Sequence, residues 1–166
     1  LTKRILGKVV GKVFHDPLRE YDNADMIRAA EIIGDKMHYL NKYQHVGWES
    51  LKLDIYDAVA SKGVKLVMID PVTNLTNGIS PSEADTVLKQ VAQDLAAMAL
   101  DLDIAVMIYC HLLKPEGGQA HERGGTIRSD QFAGSRGMMR SCNYMLGLEG
   151  NKDPNLPPEE QNLRQL

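Results

Sequence analysis

Two polar residues each end an apolar run of the sequence. Asp70 follows the segment KLVMI, and His111 follows the segment IAVMIYC. Such unbroken apolar runs are typical of strands in a parallel sheet, which are buried on both faces. Ligands of open α/β sheets bind beyond the carboxyl ends of the strands. We therefore expect Asp70 and His111 to lie at one edge of a sheet and to serve one site.

The chemistry that these two residues offer is that of a metal-bound phosphate. A carboxylate at the end of a buried strand can hold Mg²⁺ directly or through water. An imidazole at the same edge can donate to a terminal phosphate and pass its presence or absence to the loop that follows. The alternatives are a solvated acid or helix cap for Asp70, and a histidine that only hydrogen-bonds at a strand end for His111.

A loop is predicted at residues 113–130, which contain four glycines and no apolar periodicity. Loops of this length are usually functional or disordered. Its basic residues suit contact with a phosphate backbone, which gives affinity without reading base sequence; they are Lys114, Arg123 and Arg128. The alternative is a solvated surface loop, in which His121 faces solvent.

The segment FAGSRG at 132–137 predicts a turn of small residues that leads into a helix. Backbone N–H groups at a helix start can bind phosphate. Gly134 would allow close approach, and Ser135 and Arg136 could donate hydrogen bonds. The alternative is ordinary turn chemistry.

Periodicity indicates which elements position these residues. Helices are predicted at 1–13, 24–37, 48–62, 80–101 and 131–142, and strands at 38–46, 65–70, 104–110 and 144–149. Ser80, Pro81 and Glu83 have the spacing of a helix start with a capping box. Alternating strands and helices predict an α/β fold with a mostly parallel sheet flanked by helices.

Composition narrows the function classes. The chain has 166 residues, of which 43% are hydrophobic and 25% charged, as in one globular domain. A net charge of −3 argues against indiscriminate coating of nucleic acid. Residues 111–140, however, hold five basic and three acidic side chains.

The sequence also bears on the compartment. No apolar run reaches roughly 18 residues, so no membrane partner is expected. Two cysteines without metal-ligand spacing favour a reducing cytoplasm.

The glycine-rich phosphate cradle G-x-x-x-x-G-K-[ST] is missing from the 166 residues. Gly-Lys pairs occur at 7–8 and 11–12, and neither is followed by Ser or Thr. A phosphate cradle of that kind would have to lie outside these 166 residues.

The order of these features resembles the motor domain of DnaB-type replicative helicases, in particular the phage helicase-primase and twinkle group. The resemblance runs through KLVMIDPVTNL, a long amphipathic helix, IAVMIYCHLLKPEGGQAHERGG and a Gly-Ser motif, and it covers essentially the whole chain. It implies a RecA-like P-loop NTPase core that is incomplete at both ends. Residues 1–166 would be one partial domain, with the Walker A strand before Leu1 and the arginine-finger strand after Leu166.

The resemblance also implies roles for individual residues. Asp70 would be the Walker B acid that holds Mg²⁺ through water, and His111 the γ-phosphate sensor. Residues 113–137 would carry DNA through Lys114, Arg123, Arg128, Gly134, Ser135 and Arg136. The cofactors would be ATP or another nucleoside triphosphate and Mg²⁺. The partners would be single-stranded DNA and further copies in a homo-hexameric ring, with primase and polymerase as additional candidates, in the cytoplasm of the host. The complete protein would hydrolyse ATP, whereas this fragment alone would be inactive.

Two alternatives to a helicase stay open. A RecA- or RadA-like recombination ATPase, or a circadian-type one, shares the sheet but uses other loops. A degenerate RecA-fold interaction module would keep the fold without the nucleotide site. A phosphate cradle upstream of Leu1 would favour a motor, and an arginine-bearing strand after Leu166 would favour a helicase over a recombinase.

Overall fold

The computed structural model describes residues 2–40, 47–115, 117–133, 135–161 and 163. The chain divides into two compact units, Leu1–Lys42 and Tyr43–Leu166. That residues 1–166 form one partial domain stays a prediction. Within the described part of the chain, no helix is long and apolar enough to cross a membrane.

The first unit contains two helices, α1 (Thr2–Val10) and α2 (Asn23–Ile33). They pack around the buried residues Leu6, Phe14 and Ala29. Both helices are shorter than predicted, because α1 ends before Gly11 and α2 ends at the cap residue Gly34. The predicted strand at 38–46 is not seen at residues 38–40, and residues 41–46 lie outside the described residues.

The second unit has the predicted alternation of helices and strands. Its regular elements are α3 (Trp48–Lys62), β1 (Leu66–Ile69), a 3₁₀ helix (Val72–Thr76), α4 (Pro81–Asp101), β2 (Ala105–Ile108), a second 3₁₀ helix (Ser129–Gln131), α5 (Ser135–Met139) and α6 (Pro158–Gln161). Helix α3 ends at Gly63, whose left-handed φ of 66° lets its N–H reach the carbonyl of Val59.

Strands β1 and β2 form a parallel two-stranded sheet, which confirms the predicted parallel pairing and the α/β class. Leu66 pairs with Ala105, and Ile69 with Ile108. Burial alternates along both strands. The residues that face the core are Val67, Ile69, Val106 and Ile108. The prediction of strands buried on both faces is therefore wrong, because Leu66 and Met68 on the other face are about half exposed.

Helix α4 supplies five of the ten buried residues in the described core against which the sheet packs. Its buried residues recur at helical spacing; they are Leu88, Val91, Ala92, Leu95 and Met98. The predicted capping box starts this helix. The Ser80 N–H donates to Glu83 Oε2 at 3.0 Å, and the Glu83 N–H donates to Ser80 Oγ at 3.4 Å.

Two predicted elements near the C-terminus differ from the structure. Residues 144–148 form no strand, and Tyr144, Leu146 and Leu148 are exposed. A strand needs a neighbour's backbone groups for its ladder, and residues 144–148 pair with neither β1 nor β2 in the described part of the sheet. The helix predicted at 131–142 shrinks to α5, and one further turn follows it, in which the N–H groups of Ser141 and Cys142 both donate to the carbonyl of Met138.

Asp94 joins α4 to α3 through a polar cluster beside the core. Its carboxylate accepts the Trp48 indole N–H at 2.7 Å, the Gln90 amide at 2.7 Å and the Lys52 ammonium at 3.2 Å. The hydrogen bond from Trp48 is the main cause that lowers the pKa of Asp94, and burial opposes it. The ionised carboxylate therefore stabilises the fold.

We expect Asp94→Asn to lower the free energy of unfolding by about 1 kcal/mol at pH 7, because the Lys52 ion pair is lost and the Trp48 acceptor becomes neutral. A lowered folded-state pKa gives stability that is present above the unfolded pKa and is lost as pH falls through the folded value. The difference between variant and wild type should therefore shrink below about pH 3.9, the ordinary aspartate value. Urea unfolding at several pH values measures it, and a pH-independent difference would contradict this role.

Candidate functional site

Asp70 and His111 leave the sheet at the same edge. The Tyr109 N–H donates to the Ile69 carbonyl at 2.9 Å, and the Val72 N–H donates to the Tyr109 carbonyl at 2.7 Å. Asp70 lies between Ile69 and Val72, which make these two contacts, and His111 lies two residues beyond Tyr109. Both side chains are exposed, so a ligand can reach each of them. Their chemical roles stay predictions.

Asp70 alone does not make a protein-only metal site. Across the described ranges, no group of three or more His, Cys, Asp or Glu residues could hold a metal ion. At nucleotide sites Mg²⁺ usually keeps several waters and takes one or two carboxylates together with substrate phosphates. One accessible carboxylate at the strand end therefore fits an ion that arrives with a nucleotide.

Thr73 is a polar group at this edge that sequence reasoning missed. It lies in the 3₁₀ helix that follows Asp70, and its hydroxyl oxygen is buried with no hydrogen-bond partner among the described residues. Buried hydroxyls without a partner are uncommon and costly. The available signal was a threonine three residues after a strand-end acid.

The loop that begins after His111 is closed at its neck, where residues 111–113 meet residues 131–133. Leu112 and Phe132 form an antiparallel bridge, and the Leu113 N–H donates to the Gln131 carbonyl at 2.6 Å. The Ala133 N–H donates to the main-chain carbonyl of His111 at 3.2 Å. The loop predicted at 113–130 has no helix or strand among its described residues up to Arg128, and these hydrogen bonds hold its neck together. The neck ties the loop to the residue predicted to read phosphate.

The tip of the loop, residues 119–125, is folded as well. The N–H groups of Arg123 and Gly125 both donate to the Ala120 carbonyl, at 2.9 and 3.1 Å. His121 is half-buried, and its Nε2 lies 3.3 Å from the Leu113 carbonyl oxygen. The expectation that His121 faces solvent is wrong, because its ring folds back towards the start of the loop.

Neck and tip enclose a cleft of about 730 Å³. Lys114 and Arg128 both line this cleft, together with Asp130, whose carboxylate lies 3.8 Å from the Arg128 guanidinium. Arg123 does not line it, since its main chain pairs with Asn151. The structure thus brings together two of the three predicted basic groups of the loop.

The structure describes the predicted phosphate contacts at 134–136 only in part. Gly134 lies outside the described residues, Ser135 begins α5, and Arg136 is exposed. Met138 anchors this short helix in the core. The DNA-binding roles of Gly134, Ser135 and Arg136 stay predictions.

Cys110 lies directly before His111 but is unsuited to covalent chemistry. Burial raises the pKa of its thiol, and the Ala133 backbone hydrogen bond opposes this shift less strongly. A raised thiol pKa keeps the sulfur protonated and unreactive. Cys110 and Cys142 are both free thiols, and Cys110 packs against the core as a partly buried residue.

Comparison with known proteins finds a distant similarity to a phage protein. No model of a protein family matches the chain. A DNA helicase/primase of Enterobacteria phage T3 is 20% identical over 128 residues, which are 76% of this chain and 23% of that protein. The chain spans about a quarter of the length of this relative. The similarity supports, at a distance, a relationship to phage helicase-primases.

Proposed function

We propose that this chain is part of the RecA-like, DnaB-type motor of a ring-forming replicative helicase, which uses ATP to move along single-stranded DNA. The observation that carries the proposal is the arrangement around His111. His111 follows β2 at the same end of the parallel sheet at which Asp70 follows β1, while its carbonyl belongs to the neck of a loop that presents Lys114 and Arg128. The distant phage helicase/primase similarity supports the same conclusion.

At the sheet edge, Asp70 would hold a hydrated Mg²⁺ that accompanies the nucleotide. Bound Mg²⁺–ATP supplies the phosphoryl group and the charge neutralisation that its transfer requires. The chain's own contribution is to keep a carboxylate at a fixed position. The main-chain bonds of Ile69 and Val72 to Tyr109 do this on both sides of Asp70.

His111 would couple nucleotide state to the loop. A ring that donates to a terminal phosphate loses that partner after hydrolysis, and its preferred position changes. Because the carbonyl of the same residue accepts the Ala133 N–H at the neck, a shift of His111 reaches both ends of the loop. The loop would then move relative to the strand that carries Asp70.

The loop would bind the DNA backbone. Lys114 and Arg128 across one cleft can contact neighbouring phosphates without reading bases. In a hexameric ring, six such loops would surround one strand, and ATP bound between copies would order their movements. Primase and polymerase would be its partners at a replication fork.

The decisive experiment is to express the complete reading frame that contains these residues and to measure ATP hydrolysis with and without single-stranded DNA. We expect hydrolysis that DNA stimulates, and unwinding of a forked duplex. Strand pairing without unwinding would instead indicate a recombination ATPase. A protein that binds no nucleotide would contradict the proposal and indicate an interaction module.

Loss of Lys114 should change the salt dependence of DNA binding. Each phosphate contact in a single strand contributes roughly 0.7 to the slope of log K against log salt. We therefore expect Lys114→Ala and Arg128→Ala each to lower that slope by about 0.7, as measured by fluorescence anisotropy with labelled oligonucleotides. Lys62→Ala is the matched control, since Lys62 ends α3 before the amino end of β1. Unchanged slopes in both loop variants would refute phosphate contact by this cleft.

A further inference from the structure

A segment far along the chain holds the loop from its outer side. This strap, residues 147–152, contacts the loop through its main chain at two places. Arg123 and Asn151 form an antiparallel bridge, and the Lys152 N–H donates to the Glu122 carbonyl at 2.7 Å. The strap therefore fixes the tip of the loop independently of the neck.

One side chain adds a third connection between strap and loop. The Glu149 carboxylate accepts the Ile127 N–H at 2.7 Å, and Glu149 is only partly exposed. The Ile127 side chain packs closely on the strap, since a Cβ at Gly147 would lie 3.0 Å from its Cγ2. A carboxylate acceptor makes a stronger hydrogen bond to an amide than a neutral oxygen does.

The position of Ile127 matters because Arg128 follows it. Anchoring the Ile127 amide fixes the backbone directly before Arg128, which lines the same cleft as Lys114. The strap's other two bonds act at 122–123, on the opposite limb of the tip. Glu149 is thus the residue of the strap that sets the limb carrying Arg128.

We infer that Glu149 is a positioning residue for nucleic-acid binding, which holds residues 127–128 so that Lys114 and Arg128 face one phosphate backbone. The expected effect on DNA binding rests on the proposed function, whereas the contact between Glu149 and Ile127 does not. Since Glu149 would repel DNA by charge alone, its removal would strengthen binding if it had no structural role. A loss of affinity on its removal is therefore informative.

The test uses the 166-residue chain with Glu149→Ala, Glu149→Gln and Glu122→Ala. Glutamine keeps an acceptor oxygen for the Ile127 N–H, whereas alanine does not. Glu122→Ala removes the same charge from the same region but leaves the main-chain carbonyl that Lys152 uses. Hydrogen exchange at Ile127, followed by NMR, reports the contact, and the thermal unfolding midpoint checks that the core is intact.

We expect exchange at Ile127 to become roughly tenfold faster in Glu149→Ala, as expected for loss of one charge-assisted hydrogen bond. Glu149→Gln, which keeps a neutral acceptor, should fall between Glu149→Ala and wild type, and Glu122→Ala should stay near wild type, with all midpoints unchanged. Single-stranded DNA affinity should fall about threefold in Glu149→Ala relative to Glu122→Ala, the loss expected when Arg128 is held less well.

Any other result would contradict either the inference about Glu149 or the proposed DNA-binding function on which it rests. Wild-type exchange in Glu149→Ala would overturn the contact. Faster exchange with DNA affinity equal to that of Glu122→Ala would overturn the positioning role. If the wild-type chain binds no single-stranded DNA, the loop's proposed DNA role fails, and the positioning role for DNA fails with it. The exchange data would in that case still decide whether Glu149 holds the loop.

Discussion

We expect Asp70→Asn to lower DNA-stimulated ATP turnover of the complete protein by at least about a hundredfold, because a correctly held metal ion contributes several kcal/mol of charge stabilisation. Asparagine has nearly the same size but binds Mg²⁺ and its ordered waters weakly. Asp70 is exposed at the end of β1, so the substitution should leave the thermal unfolding midpoint unchanged. Steady-state hydrolysis at saturating ATP and DNA measures the effect.

The matched control for this change is Asp57→Asn. Asp57 is an exposed acid on α3, so it tests whether loss of one surface charge matters. We expect its turnover to stay within about twofold of wild type, as for most surface substitutions. Normal DNA stimulation in Asp70→Asn would refute the metal-holding role and, with it, the proposed nucleotide site.

Gly125→Ala should have the second largest effect, through the tip of the loop. A Cβ at this position would overlap the carbonyl oxygen of Gln119, and it would lie 3.0 Å from the Gln119 carbonyl carbon and 3.1 Å from that of Ala120. These atoms are all main chain, so no side-chain rotation relieves the overlap. The turn must open, and the Gly125 N–H loses the Ala120 carbonyl.

We expect this opening to weaken single-stranded DNA binding by about tenfold at moderate salt, because Lys114 and Arg128 no longer face one cleft. Fluorescence anisotropy measures the affinity, and circular dichroism should show an unchanged core. Gly47→Ala is the control, since Gly47 has a φ of −61° and a Cβ there would meet nothing within 4 Å. Wild-type affinity in Gly125→Ala would mean that the folded tip is irrelevant to binding.

The second unit shows which features local sequence determines. Helix α4 begins where Ser80 and Glu83 form their capping box, and α3 ends at a glycine with positive φ. Both signals act within a few residues, so they can be read from the chain without its tertiary structure. The parallel pairing of β1 and β2 followed equally from their apolar runs and the helix between them.

The errors arise where distant segments decide the outcome. The apolar run at 144–149 predicted a strand, but strands require a partner backbone, and periodicity cannot supply one. The lack of periodicity at 113–130 correctly predicted a loop, but it gave no sign of the pairing of Leu112 with Phe132 that closes the loop. The contact between Glu149 and Ile127 spans 22 residues, and no local pattern announces it. The orphaned Thr73 hydroxyl is likewise visible only after the chain is folded.

The small size of the sheet has a practical consequence for handling this chain. In the described structure, β1 and β2 bond to each other alone, so the outer side of each strand presents unused N–H and C=O groups. Beside them lie the exposed side chains of Leu66, Met68, Met107 and Tyr109. Open edges next to apolar surface promote intermolecular strand pairing. Purified preparations should therefore be kept dilute, and light scattering should precede every binding measurement.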